Sequence, residues 1–310
     1  MNPTPANLRG LMQRICRHSW RLRPRPTHAM PKVRLLPHIK AVLLDVYGTM
    51  LISTAGEPAG AGREHDGQHL LPALRAAGLQ PLRGLMESQG VELLRQEIVR
   101  RHTLALMTGD DRPEINIQDV WRRVLQCLQR QAQLVPTVIN SSILRTLAVE
   151  YECRVNPVWP MPGVRATLSR LRRAGCLLGI VSNAQFYTPL TLEALFRGGC
   201  SGLGLAPQLC VWSYEQHVAK PAPALYVEAW RRLLAQGVRH PREVLMVGND
   251  MVNDILPAAA LGFRTALFAG DARSLRNRRD DPRCCGLRPD ATITHFRQLE
   301  LLCLRIKHRH

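Results

Sequence analysis

The sequence predicts an α/β fold in which a doubly wound parallel sheet carries a helical insertion. Three observations predict it. Short apolar runs that suit buried strands recur along the chain, at residues 41–44, 176–181 and 244–247. Segments with apolar residues at helical spacing alternate with these runs, which is the pattern of parallel strands joined by crossover helices. Polar residues follow each run, at the strand ends where open α/β sheets place their functional groups.

The composition is that of a globular protein. The chain has 310 residues, of which 45% are hydrophobic, enough for one large domain or for a core domain with a smaller one. No apolar run approaches the roughly 18–20 residues that a membrane span needs, and no secretory signal is recognisable. The nine cysteines are scattered without a C-x-x-C pair, so we expect reduced thiols and a cytoplasmic location.

Positive charge is concentrated at the start of the chain. The net charge is +18, and residues 1–40 supply nine of these charges, from seven Arg and two Lys with no acidic residue. Three interpretations are open: a solvated tail, a transit-like segment, or a translation start at Met30. We predict a basic, disordered extension over residues 1–37. A nucleic-acid arm is less favoured, because the sequence has neither zinc-finger spacing nor an RNA-recognition signature.

The first strand leads into a turn and then into a helical region. The run 41–44 ends at Asp45, and Gly48 and Thr49 break it into a turn. Residues 55–155 then predict an all-helical insertion, because apolar residues recur there at helical spacing without a strand of comparable strength. Its helices are expected near residues 70–79, 82–106, 120–134 and 141–151. The alternative is that these helices belong to the main layers.

From residue 156 the alternation of strands and helices resumes. Residues 38–54 and 156–310 are therefore predicted to form the core domain. Further strands are expected at 176–181, 209–212, 244–247 and 265–268, and helices at 163–173, 190–196, 224–234 and 255–261. Residues 270–289 are polar and Arg-rich, and we predict that they are mobile.

The polar strand ends suit phosphoryl chemistry. Asp45 offers a nucleophilic oxygen, although an Asp that merely opens a turn fits the same pattern. Ser182 and Asn183 offer neutral donors to a phosphoryl oxygen, and Lys220 offers positive charge for the transition state. Thr49 is expected either to hydrogen-bond the phosphoryl group or Asp45, or to be a turn residue. In a doubly wound sheet these ends converge on one crevice.

Two further acids suggest a metal site. Asp250 and Asp254 can hold Mg²⁺, which prefers oxygen ligands and leaves room for substrate oxygens. The alternative for Asp254 is an acid favoured by the dipole at a helix N-terminus. The histidines lack ligand spacing, so a zinc site is not expected.

The motifs together resemble the haloacid dehalogenase-like (HAD) hydrolase superfamily, over about Lys40 to Leu299. The matching segments are Asp45-Val-Tyr-Gly-Thr49, Val181-Ser-Asn183, Lys220-Pro221 and Val247-Gly-Asn-Asp-Met-Val-Asn-Asp254. The resemblance implies a Rossmann-like core and a helical C1-type cap at 55–155. It also implies a small phosphorylated substrate, and Mg²⁺ in the phosphatase branch. The Mg²⁺ ligands would be Asp45, the main-chain carbonyl of Tyr47, Asp250 and Asp254.

The first motif departs from the usual pattern at Tyr47. Most phosphatases of the family have a second Asp there, which protonates the leaving group, and a phenol with a pKa near 10 is a poor substitute. Tyr at this position also resembles the 2-haloacid dehalogenases, in which Asp attacks carbon without a metal. A third interpretation is a catalytically weak binding protein. Asn249 stands where many members have an acid; Asp250 is favoured as the metal-facing residue because a carboxylate binds Mg²⁺ better than an amide.

Overall fold

The computed structural model describes residues 4–55, 67–107, 109 and 112–304. The strands are β1 (Ala41–Leu44), β2 (Leu51–Ser53), β3 (Val158–Pro160), β4 (Leu177–Ser182), β5 (Cys210–Trp212), β6 (Val244–Gly248), β7 (Arg264–Phe268) and β8 (Ala291–Ile293). The helices are α1 (Pro5–His18), α2 (Leu70–Ala76), α3 (Glu87–Met107), α4 (Ile117–Arg130), α5 (Ser141–Val155), α6 (Val164–Arg173), α7 (Tyr187–Leu195), α8 (Gly199–Leu203), α9 (Ser213–Gln216), α10 (Pro223–Ala235), α11 (Leu256–Ala260) and α12 (Gln298–Cys303).

Six strands form a parallel sheet in the order β5-β4-β1-β6-β7-β8, which confirms the predicted α/β, Rossmann-like fold. β1 lies between β4 and β6, with Ala41 opposite Leu177 on one side and Val244 on the other. Because all three strands run in the same direction, their carboxyl ends meet at one edge of the sheet. β2 and β3 form a separate antiparallel pair, which brings the chain back into the core after the helical region.

Both faces of the central strand are buried, as its continuous apolar sequence predicts. Val42 and Leu44 pack into one hydrophobic cluster, with α6 residues such as Leu168. Leu43 packs into a second cluster on the opposite face, with α10 residues such as Leu225. Successive side chains of a strand point to opposite faces. An alternating polar residue in β1 would therefore be buried in one of the two layers, and none occurs.

Helices α2 to α5 pack around a hydrophobic cluster that also includes Phe186 and Tyr187, at the start of α7. In it the Trp121 and Tyr151 rings meet edge to face, with centroids 5.1 Å apart. α4 begins where the side chain of Asn116 accepts a hydrogen bond from the main chain of Gln118, the usual interaction of a helix N-cap. α3 begins at Glu87, later than predicted, because Leu82 to Leu85 form a hydrogen-bonded turn. Residues 56–66 of the predicted insertion lie outside the described residues, and its division from the core remains a prediction.

The N-terminal segment differs from the disordered extension that its composition predicts. Thr4 caps α1 with its side chain, and the buried residues Leu11 and Ile15 join the cluster of the helical region. Glu150 of α5 lies fully buried and forms ion pairs with Arg14 of α1 and with Arg154. The basic residues therefore have a specific acidic partner elsewhere in the chain, which a composition argument does not detect.

Residues 270–289 also differ from prediction, because they are tied to the core rather than mobile. The buried carboxylate of Asp271 pairs with Arg273 at 2.8 Å and accepts a hydrogen bond from the main chain of Arg25. The Arg276 amide donates to the carbonyl of Asn249. The segment thus packs against the end of β6, beside the polar residues that follow this strand.

Across the part of the chain that the structure describes, no helix has both the length and the apolar character to cross a membrane.

Candidate active site

Asp45 lies directly after the central strand, where its main-chain amide continues the sheet by donating to Val247. Its carboxylate is almost completely buried. Oδ1 accepts hydrogen bonds from Lys220 Nζ at 2.7 Å and from Ser182 Oγ at 3.2 Å. Oδ2 accepts from the Thr49 hydroxyl at 3.2 Å. The carboxylate is therefore oriented through one oxygen by a cation, and its other oxygen meets a neutral hydroxyl.

Lys220 is a buried cation between two acids. Its side chain is 2% exposed, and Nζ lies 2.7 Å from both Asp45 Oδ1 and Asp254 Oδ1. Burial lowers the pKa of this amine, but the two carboxylates outweigh it and raise the pKa above its ordinary value. The lysine therefore stays charged. The amide oxygen of Asn183 accepts from the Lys220 main chain at 2.7 Å. This contact positions the lysine, and the role of Asn183 as a donor to a phosphoryl oxygen stays a prediction.

Asp254 completes the ion cluster. Its Oδ2 accepts from the Asp250 main-chain amide at 3.0 Å. Burial raises the pKa of Asp254 to about 7, Lys220 opposes this shift, and the charge of Asp45 adds to it. Gly248 ends β6 against this carboxylate, where a Cβ atom would overlap the Asp254 side chain. A glycine is required here because the acid approaches the main chain so closely.

In the loop after β6, the side chain that contacts Thr49, and is linked through it to Asp45, is that of Asn249. Its Oδ1 lies 3.1 Å from the Thr49 hydroxyl, which also contacts Asp45, and its Nδ2 donates to the carbonyl of Ser274. Gly48 has a φ of +83°, and a Cβ atom there would overlap Ser274. The first turn, Asn249 and the 270–289 segment are thus packed into one unit.

Asp250 is a correction to the sequence prediction. Its carboxylate accepts from the main-chain amides of Val252 and Asn253 at the start of the π-helical turn Met251–Ile255. It also pairs with Arg278, at 2.6 Å from Nη2. Both interactions turn the acid away from the position that Asn249 occupies. Arg278 was missed in the sequence because it lies in a segment expected to be mobile, and only the local Arg cluster indicated it.

The predicted set of four Mg²⁺ ligands does not fit as a whole. Asp250 is engaged by Arg278, and both oxygens of Asp254 have donors, Lys220 and the Asp250 amide. No group of three or more His, Cys, Asp and Glu side chains suited to a metal occurs among residues 4–55, 67–107, 109 and 112–304. A smaller set does fit the oxygen preference of Mg²⁺: the Asp45 carboxylate with the amide oxygen of Asn249. Because this set contains one carboxylate instead of two, we expect it to bind Mg²⁺ weakly.

Tyr47 is a buried structural side chain. Its hydroxyl lies 3.0 Å from the Thr188 hydroxyl. Burial, with the nearby Glu152 charge, raises the pKa of Tyr47 well above its ordinary value, so the phenol cannot serve as a base near neutral pH. The main-chain carbonyl of Tyr47 remains a predicted metal ligand.

We expect the Tyr47→Phe variant to lose about 1 kcal/mol of stability, because Thr188 loses a hydrogen-bond partner, and to keep its turnover. Urea denaturation and steady-state kinetics measure the two effects. Thr188→Val, which removes the other hydroxyl of the pair, should cost more, because Thr188 Oγ1 also accepts a hydrogen bond from the Gln185 main-chain amide at 3.2 Å. A fall in kcat of more than about tenfold in Tyr47→Phe alone would assign the phenol a chemical role.

A contact between the helical region and the core lies beside Lys220. Glu114 accepts hydrogen bonds from Ser213 Oγ at 2.6 Å and from the Gln185 amide at 2.8 Å. The Ala219 main chain, one residue before Lys220, donates to the carbonyl of Arg112. The sequence analysis did not identify these residues, because no sequence pattern indicates that a Glu before a helix contacts a distant Ser and Gln.

The fold and the buried Asp45–Lys220–Asp254 cluster define a hydrolase-type α/β protein with a carboxylate at the end of the central strand. The chain belongs to the family described as haloacid dehalogenase-like hydrolase, whose sequence model matches residues 39–262. The family was thus predicted correctly, and its members are hydrolases.

Among curated proteins, the chain is similar to two archaeal enzymes named glyceraldehyde 3-phosphate phosphatase. The Methanopyrus kandleri protein is 28% identical over 244 residues, which are 78% of this chain and 90% of that protein. The Pyrococcus furiosus protein is 24% identical over 195 residues, which are 56% of this chain and 72% of that protein.

Solved structures of both branches resemble this fold. The 2-haloacid dehalogenase from Pseudomonas syringae pv. Tomato DC3000 has a TM-score of 0.49 and 21% identity, covering 84% of this chain and 96% of that one. The HAD phosphatase from Thermococcus onnurineus has a TM-score of 0.47 and 20% identity, with the same coverage of 84% and 96%.

Proposed function

We propose that this protein is a phosphohydrolase that acts on a small phosphorylated metabolite through a covalent intermediate on Asp45. The observation that carries the proposal is the geometry of the Asp45 carboxylate. Lys220 and Ser182 hold Oδ1, while Oδ2 has the neutral Thr49 hydroxyl as a neighbour. A carboxylate held in this way presents one oxygen as a nucleophile. The names of the two archaeal relatives support phosphate as the group attacked.

The proposed reaction has two displacements at phosphorus. Asp45 Oδ2 forms a bond to phosphorus while the bond from phosphorus to the leaving oxygen breaks, and that oxygen takes a proton from solvent. Water then attacks the phosphorus of the aspartyl-phosphate and gives up a proton, and the bond to Asp45 breaks to release inorganic phosphate. Lys220 stabilises the negative charge near the phosphoryl group in both steps, and Asn183 holds the lysine main chain in position.

Mg²⁺ is the proposed cofactor. Asp45 and Asn249 would hold it, together with the main-chain carbonyl of Tyr47. When bound, it would offset the charge of the phosphoryl oxygens. Since Asp250 and Asp254 are otherwise engaged, we expect activity to need a higher Mg²⁺ concentration than a site with two carboxylates would.

The helical region 55–155 is the proposed cap domain. The Glu114 contacts with Ser213 and Gln185, which join it to the core beside Lys220, support a role in covering a substrate bound at Asp45. The sequence of this region, rather than the core, would then select the substrate. We further propose a cytoplasmic location, because all nine cysteines are free thiols.

A panel of phosphate esters and acyl phosphates, assayed with and without Mg²⁺, tests the proposal. We expect turnover to rise steeply as the pKa of the leaving group falls, because Tyr47 cannot donate the proton that an alkyl leaving group needs. Acyl phosphates and p-nitrophenyl phosphate should therefore exceed alkyl phosphates by about 10²–10⁴-fold, the usual contribution of a general acid. Equal rates across the panel would show that another residue protonates the leaving group.

A 2-haloacid dehalogenase is the second candidate. The specific observation in its favour is that an amide, Asn249, contacts the Thr49–Asp45 pair while Asp250 turns to Arg278. This reaction predicts metal-independent release of halide from 2-chloropropionate. Purified protein that releases phosphate but no halide would remove this candidate. Protein that releases neither would favour the third interpretation, a catalytically weak binding protein.

A further inference from the structure

A second cavity, with a volume of about 570 Å³, lies on the far side of the loop that carries Asp250. One wall is the π-helical turn that begins at Met251, and the opposite wall is formed by the segment 277–289. The cavity therefore shares the Met251 turn with the Asp45 site but uses other side chains. The residues that line it have no part in the proposed reaction.

The charged side chains that line this cavity are all positive. Lys32, Arg278, Arg279 and Arg288 line it, and no acidic residue appears among the described residues that line it. Arg278 pairs with Asp250. No acid in the described ranges forms an ion pair with the other three side chains, whereas Arg264, Arg273 and Arg283 do have acidic partners. All three side chains are exposed, so solvent screens their mutual repulsion, but an anion bound between them would be attracted by all three.

The floor of the cavity is apolar. Met251 and Leu267 are buried, and Leu287 packs against them. An apolar surface does not replace the hydration of an inorganic anion, but it does favour a ligand with an apolar part. The combination of cationic rim and apolar floor is typical of pockets for small organic anions.

The cavity is connected to the Asp45 site through Arg278. This residue has a φ of +48°, a left-handed conformation that is costly for any residue with a side chain. The Asp250 carboxylate holds its guanidinium, and the Asp250 amide in turn donates to Asp254. An anion that draws Arg278 toward the cavity would weaken its pairing with Asp250.

We propose that this cavity is a second binding site, for a small organic phosphate or phosphonate whose anionic group contacts Lys32, Arg279 and Arg288 and whose apolar part lies on Met251, Leu267 and Leu287. The site is separate from the one in which Asp45 attacks phosphorus. It does not depend on the proposed function, because it is a binding site defined by its own charges.

Calorimetric titration of the full chain with phenylphosphonate, which has no hydrolysable phosphate ester, tests this proposal. The variant Arg279→Gln/Arg288→Gln removes two of the unneutralised cations. The control Arg165→Gln/Arg173→Gln removes the same charge from exposed positions on α6. Phenylphosphonate also resembles a substrate of the proposed Asp45 site, so the titration is fitted for binding there as well as in the cavity. For binding in the cavity we expect the pocket variant to be at least tenfold weaker, with turnover of p-nitrophenyl phosphate unchanged, and the control variant to bind as the unmodified protein does.

Methylphosphonate, which carries the same charge without the ring, should bind more weakly than phenylphosphonate if the apolar floor contributes. Equal affinity of the pocket variant and the unmodified protein for phenylphosphonate would overturn the proposal. So would an equal loss of affinity in the control variant, which would show that binding depends on the net charge of the protein and not on this cavity. A DNA duplex that binds more tightly than phenylphosphonate, and that loses binding in the pocket variant, would overturn it in favour of nucleic acid. Absence of turnover in all proteins would contradict the proposed function but not this site.

Discussion

Replacing Asp45 by Asn should abolish hydrolysis while the protein remains folded. The amide has nearly the same shape as the carboxylate, but it lacks the nucleophilic oxygen that attacks phosphorus. Loss of a nucleophile that acts with its neighbours as a unit costs about 10⁴–10⁶-fold in kcat. The measurement is release of inorganic phosphate from p-nitrophenyl phosphate, with thermal unfolding followed by circular dichroism to establish that the variant is folded.

Two further measurements make this result specific to covalent catalysis. Acid quenching of the unmodified enzyme during turnover should trap one phosphoryl group, which peptide mass spectrometry should locate on Asp45 and which Asp45→Asn should not carry. The matched control is Asp281→Asn, the same substitution in a carboxylate that pairs with Arg283 away from the Asp45 cluster. Undiminished turnover in Asp45→Asn would end the assignment of a nucleophile to this position.

The residues around Asp45 show which parts of the site a sequence can predict. β1 and β6 are continuous apolar runs that end in polar residues, and their place in a parallel sheet follows from that pattern alone. Asp45, Lys220 and Asp254 could therefore be predicted to meet. Which of Asn249 and Asp250 would face a metal could not be predicted. The answer depends on the conformation of the loop after β6 and on Arg278, which lies 28 residues from Asp250.

The N-terminal helix illustrates a second limit. Its basic residues and the lack of acids nearby suggest a solvated tail, because composition reports only on local sequence. Glu150, which binds Arg14 and Arg154, is separated from Arg14 by 136 residues. Pairing between distant charges requires knowledge of the packing, which periodicity does not supply. Asp271, in a segment predicted to be mobile, likewise accepts a hydrogen bond from the main chain of Arg25, which is 246 residues away.

The second large effect is expected for Lys220→Met, because this substitution leaves two buried acids without their cation. Lys220 Nζ contacts Asp45 and Asp254 at 2.7 Å each, and its side chain is 2% exposed. Removal of one partner from a buried ion pair costs about 3–5 kcal/mol, since the remaining charge stays buried. We also expect hydrolysis to be lost, because no other described cation is bonded to Asp45.

The stability loss should depend on pH, and its sign follows from the acids. Burial already raises the pKa of Asp254 to about 7 with Lys220 present, and removal of the cation raises the pKa of this carboxyl further. A carboxyl whose folded-state pKa lies above its unfolded value makes the folded state less stable as pH rises through that interval, because the unfolded state releases its proton first. The deficit of Lys220→Met relative to the unmodified protein should therefore be larger at pH 8 than at pH 5.

Lys40→Met is the matched control for this experiment. Lys40 forms an ion pair with Glu243 at 2.7 Å, but its side chain is 54% exposed, so its removal should cost less than about 1 kcal/mol. Urea denaturation of both variants and of the unmodified protein at pH 5 and pH 8 gives the six free energies needed. If Lys220→Met lost no more stability than Lys40→Met, or lost more at pH 5 than at pH 8, Lys220 could not be the charge that allows Asp45 and Asp254 to be buried together.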